Sequence, residues 1–505
     1  MPDHNVRFPP DRIAVIDIGS NSLRLVVFER LGATLLPLLN EKVMCGLGRG
    51  IAHSGRLNRE GVELAHANIQ RFVALAHALK ADHLMGIATA AVRDASDGAA
   101  FLAQIAGLGL APRLLSGEEE AVTGARGVLA AFPGAAGVVA DLGGGSLELT
   151  DIAADRCTHG VSLPLGTLRL PALRGGGAAK FGRRVRKLLK GAQWAGEHGQ
   201  VLYLVGGSWR ALARYAMERD RWPIDDPHGH ELAPEVALKL ARSLVSTRGA
   251  REDARGMADP AAWGPSAVPG ISPSRLASLP DAAALLGVLV RELRPARLVF
   301  SAWGLREGLL AARLSEAEHA QDPLAVGVEE FVRGIDPALP EAARGVAAWT
   351  APAAAPADAA RERLRGCATL LALASMATEP NLRAELATDW ALRKRWIGAS
   401  VEARAMLALA LRCNSGRTAI GDELLSLAPR PRLHEAQVWG LATRLCRRLT
   451  AATPTALAGT GLTIADGRLL LWARAELAVL YSETVARDHR WLAETMGLQA
   501  GFATR

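Results

Sequence analysis

Between residues 12 and 315, short apolar runs alternate with longer amphipathic segments. "IAVIDIG" (13–19), "LRLVVFER" (23–30), "LMGIATAAV" (84–92), "GVVADLGG" (137–144), "LYLVGG" (202–207) and "ARLVFSAWG" (296–304) read as strands. Between them, segments such as "NREGVELAHANIQRFVALAHALKA" (58–81) repeat apolar positions at three and four residues, as a helix with one buried face does. That alternation predicts an α/β architecture. After about residue 316 the strand patterns almost vanish, and "ERLRGCATLLALASMA", "EARAMLALALRC" and "QVWGLATRLCRRLTAAT" read as helices. A separate all-α C-terminal domain is expected over 316–505, with "WTAPAAAPADAA" (349–360) a loop inside it.

Two of the strand segments are copies of one phrase. "DIGSNSLRL" at Asp17–Leu25 aligns without a gap on "DLGGGSLEL" at Asp141–Leu149, an offset of 124 residues (141 − 17). So long a period suggests two duplicated lobes rather than a solenoid, here over 1–130 and 131–315. Each copy reads strand, tight turn, strand. Glycine lets the backbone take positive φ and lets an anion approach the main chain closely. Successive N–H groups then form an anion-binding nest, to which Ser22 and Ser146 add hydroxyl donors. Each copy also ends its first strand on an aspartate, Asp17 or Asp141, suited to magnesium, which takes one or two carboxylates and keeps phosphate oxygens and water. Ordinary hairpin turns are the competing reading for either copy alone. Two copies with aligned Asp and Ser predict two loops facing each other across a cleft and gripping one polyphosphorylated ligand. Ser146, Glu148 and Thr150 share a strand face, so Glu148 lies beside the phosphate loop; the first copy has Arg24 there.

Composition narrows the setting. The 505 residues exceed one hydrophobic core, and 50% apolar with 22% charged residues is ordinary for a globular chain. A net charge of +8 favours an anionic partner. The five cysteines (Cys45, Cys157, Cys367, Cys413, Cys446) are scattered and form no C-x-x-C pair, which argues against a disulfide framework or a zinc ribbon. The N-terminal "MPDHNVRFPPDR" has no apolar core of the signal-peptide kind, and no run approaches the roughly 18–20 apolar residues of a spanning helix. A cytoplasmic protein without a membrane segment is expected.

With these residues in view, the chain resembles the exopolyphosphatase/guanosine pentaphosphate phosphohydrolase (Ppx/GppA) family, a branch of the actin-like, sugar-kinase and heat-shock ATPase superfamily. The resemblance covers about residues 12–315. It rests on "DIGSNSLRL", "TAAVRDASDG" (89–98), "LSGEEEA" (115–121), "DLGGGSLEL", "LVGGSWRALA" (204–213) and "FSAWGLREGLL" (300–310), in that order. It implies a phosphoanhydride hydrolase working between two ribonuclease H-like lobes, with a homodimer as the expected assembly. On the family's motifs Asp17 and Asp141 match magnesium-site aspartates. Ser20, Asn21, Ser22, Gly143, Gly144, Gly145 and Ser146 match the two phosphate loops, and Gly206, Gly207 and Ser208 stand at a third. Arg93 matches a phosphate-contacting arginine, Glu119 the catalytic base and Glu148 a carboxylate that helps place the attacking water. Ser208 stands where threonine is common in the family, and the bulky Trp209 after it argues against an open adenine pocket.

Other readings stay open beside these. Ser116-Gly117-Glu118-Glu119 is also a capping box, in which Glu119 reaches back to the helix start, and Arg93 alone reads as a surface ion pair. Glu118 and Glu120 read as solvated helix residues. The basic stretch "RGGGAAKFGRRVRKLLKG" (174–191) is either a solvated helix or a track for a long polyanion. His228 and His230 in "DPHGHEL" lack a third ligand nearby and read as loop. Some relatives carry a C-terminal domain resembling HD phosphohydrolases, whose metal site needs a His-Asp pair. Beyond residue 316 only His319, His434 and His489 occur, and none precedes an aspartate, so an HD-like domain without its metal site is expected. The substrate implied is inorganic polyphosphate, cut at its terminal phosphoanhydride with Mg2+. Guanosine pentaphosphate is the alternative, and a non-catalytic phosphate or alarmone sensor or a kinase are further ones. A nucleic-acid or membrane partner is not expected.

Overall fold

A computed structural model describes residues 11–32, 34–153, 156–192, 194, 199–252 and 268–505. Residues 1–10, most of the N-terminal stretch read above, lie outside the described residues. The chain divides into one compact unit formed by residues up to 221 with 227–321, and a second formed by 222–226 with 322–505.

The first unit holds two sheets with one plan. In the first, β1 (Asp11–Ile18), β2 (Leu23–Leu31) and β3 (Thr34–Val43) form an antiparallel meander, and β4 (His83–Ala88) and β5 (Arg113–Leu114) add on in parallel, giving the order β3-β2-β1-β4-β5. In the second, β6 (Gly137–Leu142), β7 (Leu147–Ala153) and β8 (Arg156–Leu163) repeat the meander. There β9 (Val201–Val205) and β11 (Arg297–Ser301) add on in parallel, and the short β10 (Glu231–Leu232) closes the edge. Read from β8, the order β8-β7-β6-β9-β11 reproduces that of the first sheet. The duplication seen in one phrase therefore extends to whole lobes.

The central strands β1 and β6 are buried on both faces, and helices cover them. Helix Arg59–Ala78 packs Ala65, Ile69, Phe72, Val73 and Ala76 on the first sheet. Its start is fixed by Asn58, whose Oδ1 accepts from the Gly61 N–H at 2.8 Å.

Two helices cross between the lobes. Helix Gly117–Ala131 follows the last strand of the first sheet, yet its Ala125, Val128 and Leu129 pack with Val139, Ile152 and Tyr203 of the second. Helix Leu305–Ala311 follows the last strand of the second sheet and places Leu310 against Ile13, Val15, Val26 and Phe28 of the first. Glycines allow their close crossing: a Cβ on Gly127 would sit 2.1 Å from the Gly304 carbonyl oxygen, and one on Gly308 1.8 Å from that of Thr123. A division at residue 130 follows the sheets and not these helices.

The second unit is mainly helical, around a core that includes Trp439, Leu371, Leu407 and Leu445. It differs from the sequence reading in two places. Helix Leu339–Ala354 runs through Pro352, so only 355–358 remain of the expected loop before helix Ala359–Ala374. The unit also contains a three-stranded sheet of β12 (Thr460–Ala465), β13 (Arg468–Ala473) and β14 (Gln499–Thr504). Its histidines serve structure. His489 is bonded through Nδ1 to the Tyr481 hydroxyl at 3.0 Å and through Nε2 to the Leu469 carbonyl at 3.0 Å. Among the described residues no helix is long and apolar enough to cross a membrane.

Candidate active site

The two repeated turns meet. A Cβ on Gly145 would lie 2.6 Å from the Ser20 Oγ, and one on Gly144 3.2 Å from the Asn21 backbone nitrogen. The turns are built alike: Gly19 N–H donates to the Ser22 carbonyl at 3.1 Å, and Gly143 N–H to that of Ser146 at 3.0 Å. The segment after β8 braces the second turn, with the Thr167 and Leu168 N–H groups donating to the Gly143 and Gly144 carbonyls at 3.0 and 2.9 Å.

Between the turns lies a polar cleft of about 180 Å³. Of the residues expected from sequence, Asp17, Ser20, Asn21, Ser22, Asp141, Gly143, Gly144, Gly145, Ser146, Glu148, Gly206, Gly207 and Ser208 all line it. The third turn opens helix Gly207–Arg219. Gly206 takes φ +111° there, and a Cβ on it would stand 2.4 Å from the Leu142 carbonyl and 3.1 Å from the Asp141 carboxylate. Trp209 is fully buried and does not line the cleft.

Two expected site residues stand elsewhere. Glu119 is 42% exposed and forms the capping box, its carboxylate accepting from the Ser116 N–H at 2.8 Å and pairing with Arg113. These bonds hold its pKa below the usual carboxylate range. The physical reason is helical phase. The third helical residue must turn back to the helix start, so the next residue, Glu120, points into the cleft with its side chain only 13% exposed. Glu120, read from sequence as solvated, is thus the carboxylate the helix delivers. Arg93 does not line the cleft; its Nη1 donates to Glu120 at 3.0 Å and to the Leu115 carbonyl at 3.0 Å.

Burial pushes the Glu120 pKa up to about 7; Arg93 opposes the rise, and the charges of Asp141 and Asp17 add to it. Glu148 is 3% exposed and accepts from the Ser162 hydroxyl at 2.8 Å; burial first, then Glu120 and Asp141, raise its pKa well above the ordinary value. The two buried carboxyls raise each other, and Arg93, hydrogen-bonded to Glu120, favours ionisation there. Burial also raises Asp17, and lifts Asp141 to about 6 with the help of Asp17.

Opposing this acidic wall are cations that the sequence reading did not assign: Arg24, Lys42, Arg210, Arg275 and Arg306. Arg306 Nη1 lies 3.5 Å from the Asp17 carboxylate, and Arg275 Nη1 donates to the Ser208 hydroxyl at 3.0 Å. Burial and mutual repulsion lower Lys42 to about 8, and Arg24 and Arg210 to about 10. Arg210 and Arg306 sit inside quoted motifs, "GGSWR" and "GLREG", which was the available signal; Lys42 and Arg275 have no local one.

Chemically, the cleft offers backbone N–H turns and guanidinium groups for phosphate oxygens, plus two half-buried aspartates. Among the described residues no three histidine, cysteine or acidic side chains come together as a complete metal-ligand group, so Asp17 and Asp141 suit a hard cation that fills its shell with water and phosphate. No metal-ligand group forms around His228 and His230 among the described residues. The basic stretch 174–191 forms helix Ala178–Gly191 and lines no part of the cleft.

Comparison with known proteins agrees with this geometry. Exopolyphosphatase 1 of Mycobacterium tuberculosis is 26% identical over 322 residues, covering 61% of this chain and 90% of that protein. Exopolyphosphatase 2 of the same organism is 30% identical over 172 residues, covering 32% and 53%. The crystal structure of an Aquifex aeolicus Ppx/GppA family member aligns with TM-score 0.51 at 21% identity, over 62% of this chain and 100% of that one. An exopolyphosphatase from Cytophaga hutchinsonii aligns at 0.52 and 22%, over 60% and 98%. These solved structures share the two-lobed, actin-like fold. The family model described as the Ppx/GppA phosphatase family matches residues 25–317, more than half the chain, and the protein belongs to that family.

Proposed function

We propose that this protein is an exopolyphosphatase, which hydrolyses the terminal phosphoanhydride of inorganic polyphosphate and releases orthophosphate. The observation that carries this reading is the meeting of two duplicated phosphate turns, each with its aspartate, in one cleft rich in cations. Asp17 and Asp141 would hold Mg2+, which would supply neutralisation of phosphate charge.

The chain's own residues do the rest. The turns Gly19–Ser22 and Gly143–Ser146 position the terminal phosphate through N–H and hydroxyl donors. Glu120, ionised near neutral pH, accepts a proton from water as the water oxygen bonds to the terminal phosphorus. The bridging P–O bond breaks on the opposite side, and its electron pair leaves with the shortened chain. Glu148 beside it orients the water. Arg93 tunes Glu120 from behind rather than touching phosphate. Arg306 balances charge on the equatorial oxygens, and Arg24, Lys42, Arg210 and Arg275 bind the phosphates that remain.

Orthophosphate release from long-chain polyphosphate, measured with Mg2+ and with EDTA and against guanosine pentaphosphate, tests this. Faster metal-dependent release from polyphosphate is expected. Preferential turnover of guanosine pentaphosphate would reassign the substrate, and binding of either without release would make the protein a sensor.

A further inference from the structure

A second cavity, of about 630 Å³, lies among the helices of the second lobe and shares no lining residue with the cleft. That volume is within the range of about 300–1,000 Å³ usual for small-molecule sites. Helix Pro273–Leu293 forms one wall, where Asp281, Ala284, Val288 and Arg291 follow one another at three and four residues. From Asp281 to Arg291 this wall is about 15 Å long. Phe181 of helix Ala178–Gly191, and Arg242 and Val245 of helix Pro234–Glu252, face it.

Its charge is one-sided. Arg174 and Asp281 form an ion pair and neutralise each other at one end. Arg242 and Arg291 bond only carbonyls of their own helices, Leu238 at 3.3 Å and Gly287 at 2.8 Å, and neither has a carboxylate partner among the described residues. Two guanidinium groups thus border an apolar wall of Phe181, Val245, Ala284 and Val288. The turn Gly175–Gly177 also lines the cavity, but Asp281, paired with Arg174, is the one carboxylate on its wall among the described residues, so the cavity is a place for binding and lacks the acidic pair that phosphoryl chemistry uses.

We propose that this cavity is a binding site for a small amphipathic anion, with the apolar body against Phe181, Val245 and Val288 and the anionic group on Arg242 and Arg291. Neither the site nor its ligand depends on which phosphoanhydride the cleft hydrolyses.

The probes are 1-anilinonaphthalene-8-sulfonate and its neutral counterpart N-phenyl-1-naphthylamine, titrated by fluorescence with Mg2+ and imidodiphosphate saturating the cleft. Saturable one-site binding of the sulfonate is expected, about tenfold or more tighter than that of the neutral probe, as charge-assisted hydrogen bonds to arginine require. Ala284→Trp, which fills the cavity, abolishes binding. The Arg242→Ala/Arg291→Ala double variant weakens the sulfonate by the same factor and leaves the neutral probe unchanged. Phosphate release, assayed in parallel, persists in both variants, so failure of this site is distinct from failure of the hydrolase reading. Equal affinity for the two probes, or sulfonate binding indifferent to the arginine variant, overturns the proposal; the arginine variant decides alone if Ala284→Trp does not fold. Binding that fades as protein concentration rises, with Ala284→Trp sedimenting as a smaller species than the parent, gives the face to a second copy and overturns it as well.

Discussion

Glu148 stands directly across the β6–β7 ladder from Asp141, just as Arg24 stands directly across the β1–β2 ladder from Asp17. The two lobes therefore bring the same backbone frame to the cleft and differ in the charge beside the aspartate. One half presents a cation and the other a buried carboxyl, which in the proposed mechanism serve the phosphate chain and the attacking water. The exchanged helices complete that division. Helix Gly117–Ala131 carries Glu120 to Glu148, and helix Leu305–Ala311 carries Arg306 to Asp17.

Glu120→Gln should lower kcat by about 10²–10⁴-fold, the usual worth of a positioned general base, with polyphosphate affinity unchanged. Glu119→Gln should leave kcat near the parent value, because glutamine also serves the third position of a capping box. Steady-state phosphate release from the two variants checks the pair; the reverse ranking would return Glu119 to the reaction.

The pH profile follows from Glu120. Its pKa is about 7, and the base must be ionised, so kcat/KM should fall about tenfold per pH unit below that value. Arg93 favours the carboxylate, and Arg93→Met should raise the Glu120 pKa and move the acidic limb to higher pH. A limb that stays in place in Arg93→Met contradicts the coupling.

Lys42 supplies a binding signature. Burial, then Arg275 and Arg24, hold its pKa down to about 8, so it is largely neutral at pH 9 in the absence of an anion. A polyphosphate chain would restore its proton. Calorimetry at pH 9 in buffers of different ionisation enthalpy should therefore show proton uptake on binding, reduced in Lys42→Met.

Gly145→Ala tests the meeting of the turns. Its Cβ would press on the Ser20 Oγ at 2.6 Å and the Ala90 Cβ at 2.9 Å. Parting the turns should cost about 10²-fold in kcat/KM, the scale of loss from misplacing reacting groups by an ångström. Unaltered turnover would mean that the turns need not close on one substrate.

Much of this is legible in the sequence, for physical reasons. A doubly buried strand needs an unbroken apolar run, and a turn that takes an anion needs glycine, so both copies of the repeat stand out. Glu119 and Glu120 show the limit. A capping box and a catalytic motif use the same letters, and only the phase of the helix decides which carboxylate turns inward. Lys42 and Arg275 lie on β3 and at the start of a helix with nothing local to mark them, and reach the cleft through tertiary packing alone. The β12–β13 hairpin did carry a signal in Asp466-Gly467, with φ +51° and +70°, within an otherwise helical stretch.

The most direct test of shared phosphate binding by the two lobes is the stoichiometry of Mn2+, followed by electron paramagnetic resonance with imidotriphosphate present, in the parent, Asp17→Asn and Asp141→Asn. One tightly held ion in the parent, weakened about tenfold or more in each single variant, is the predicted result. An ion held equally well after either substitution would contradict a metal–phosphate complex built by both halves of the repeat.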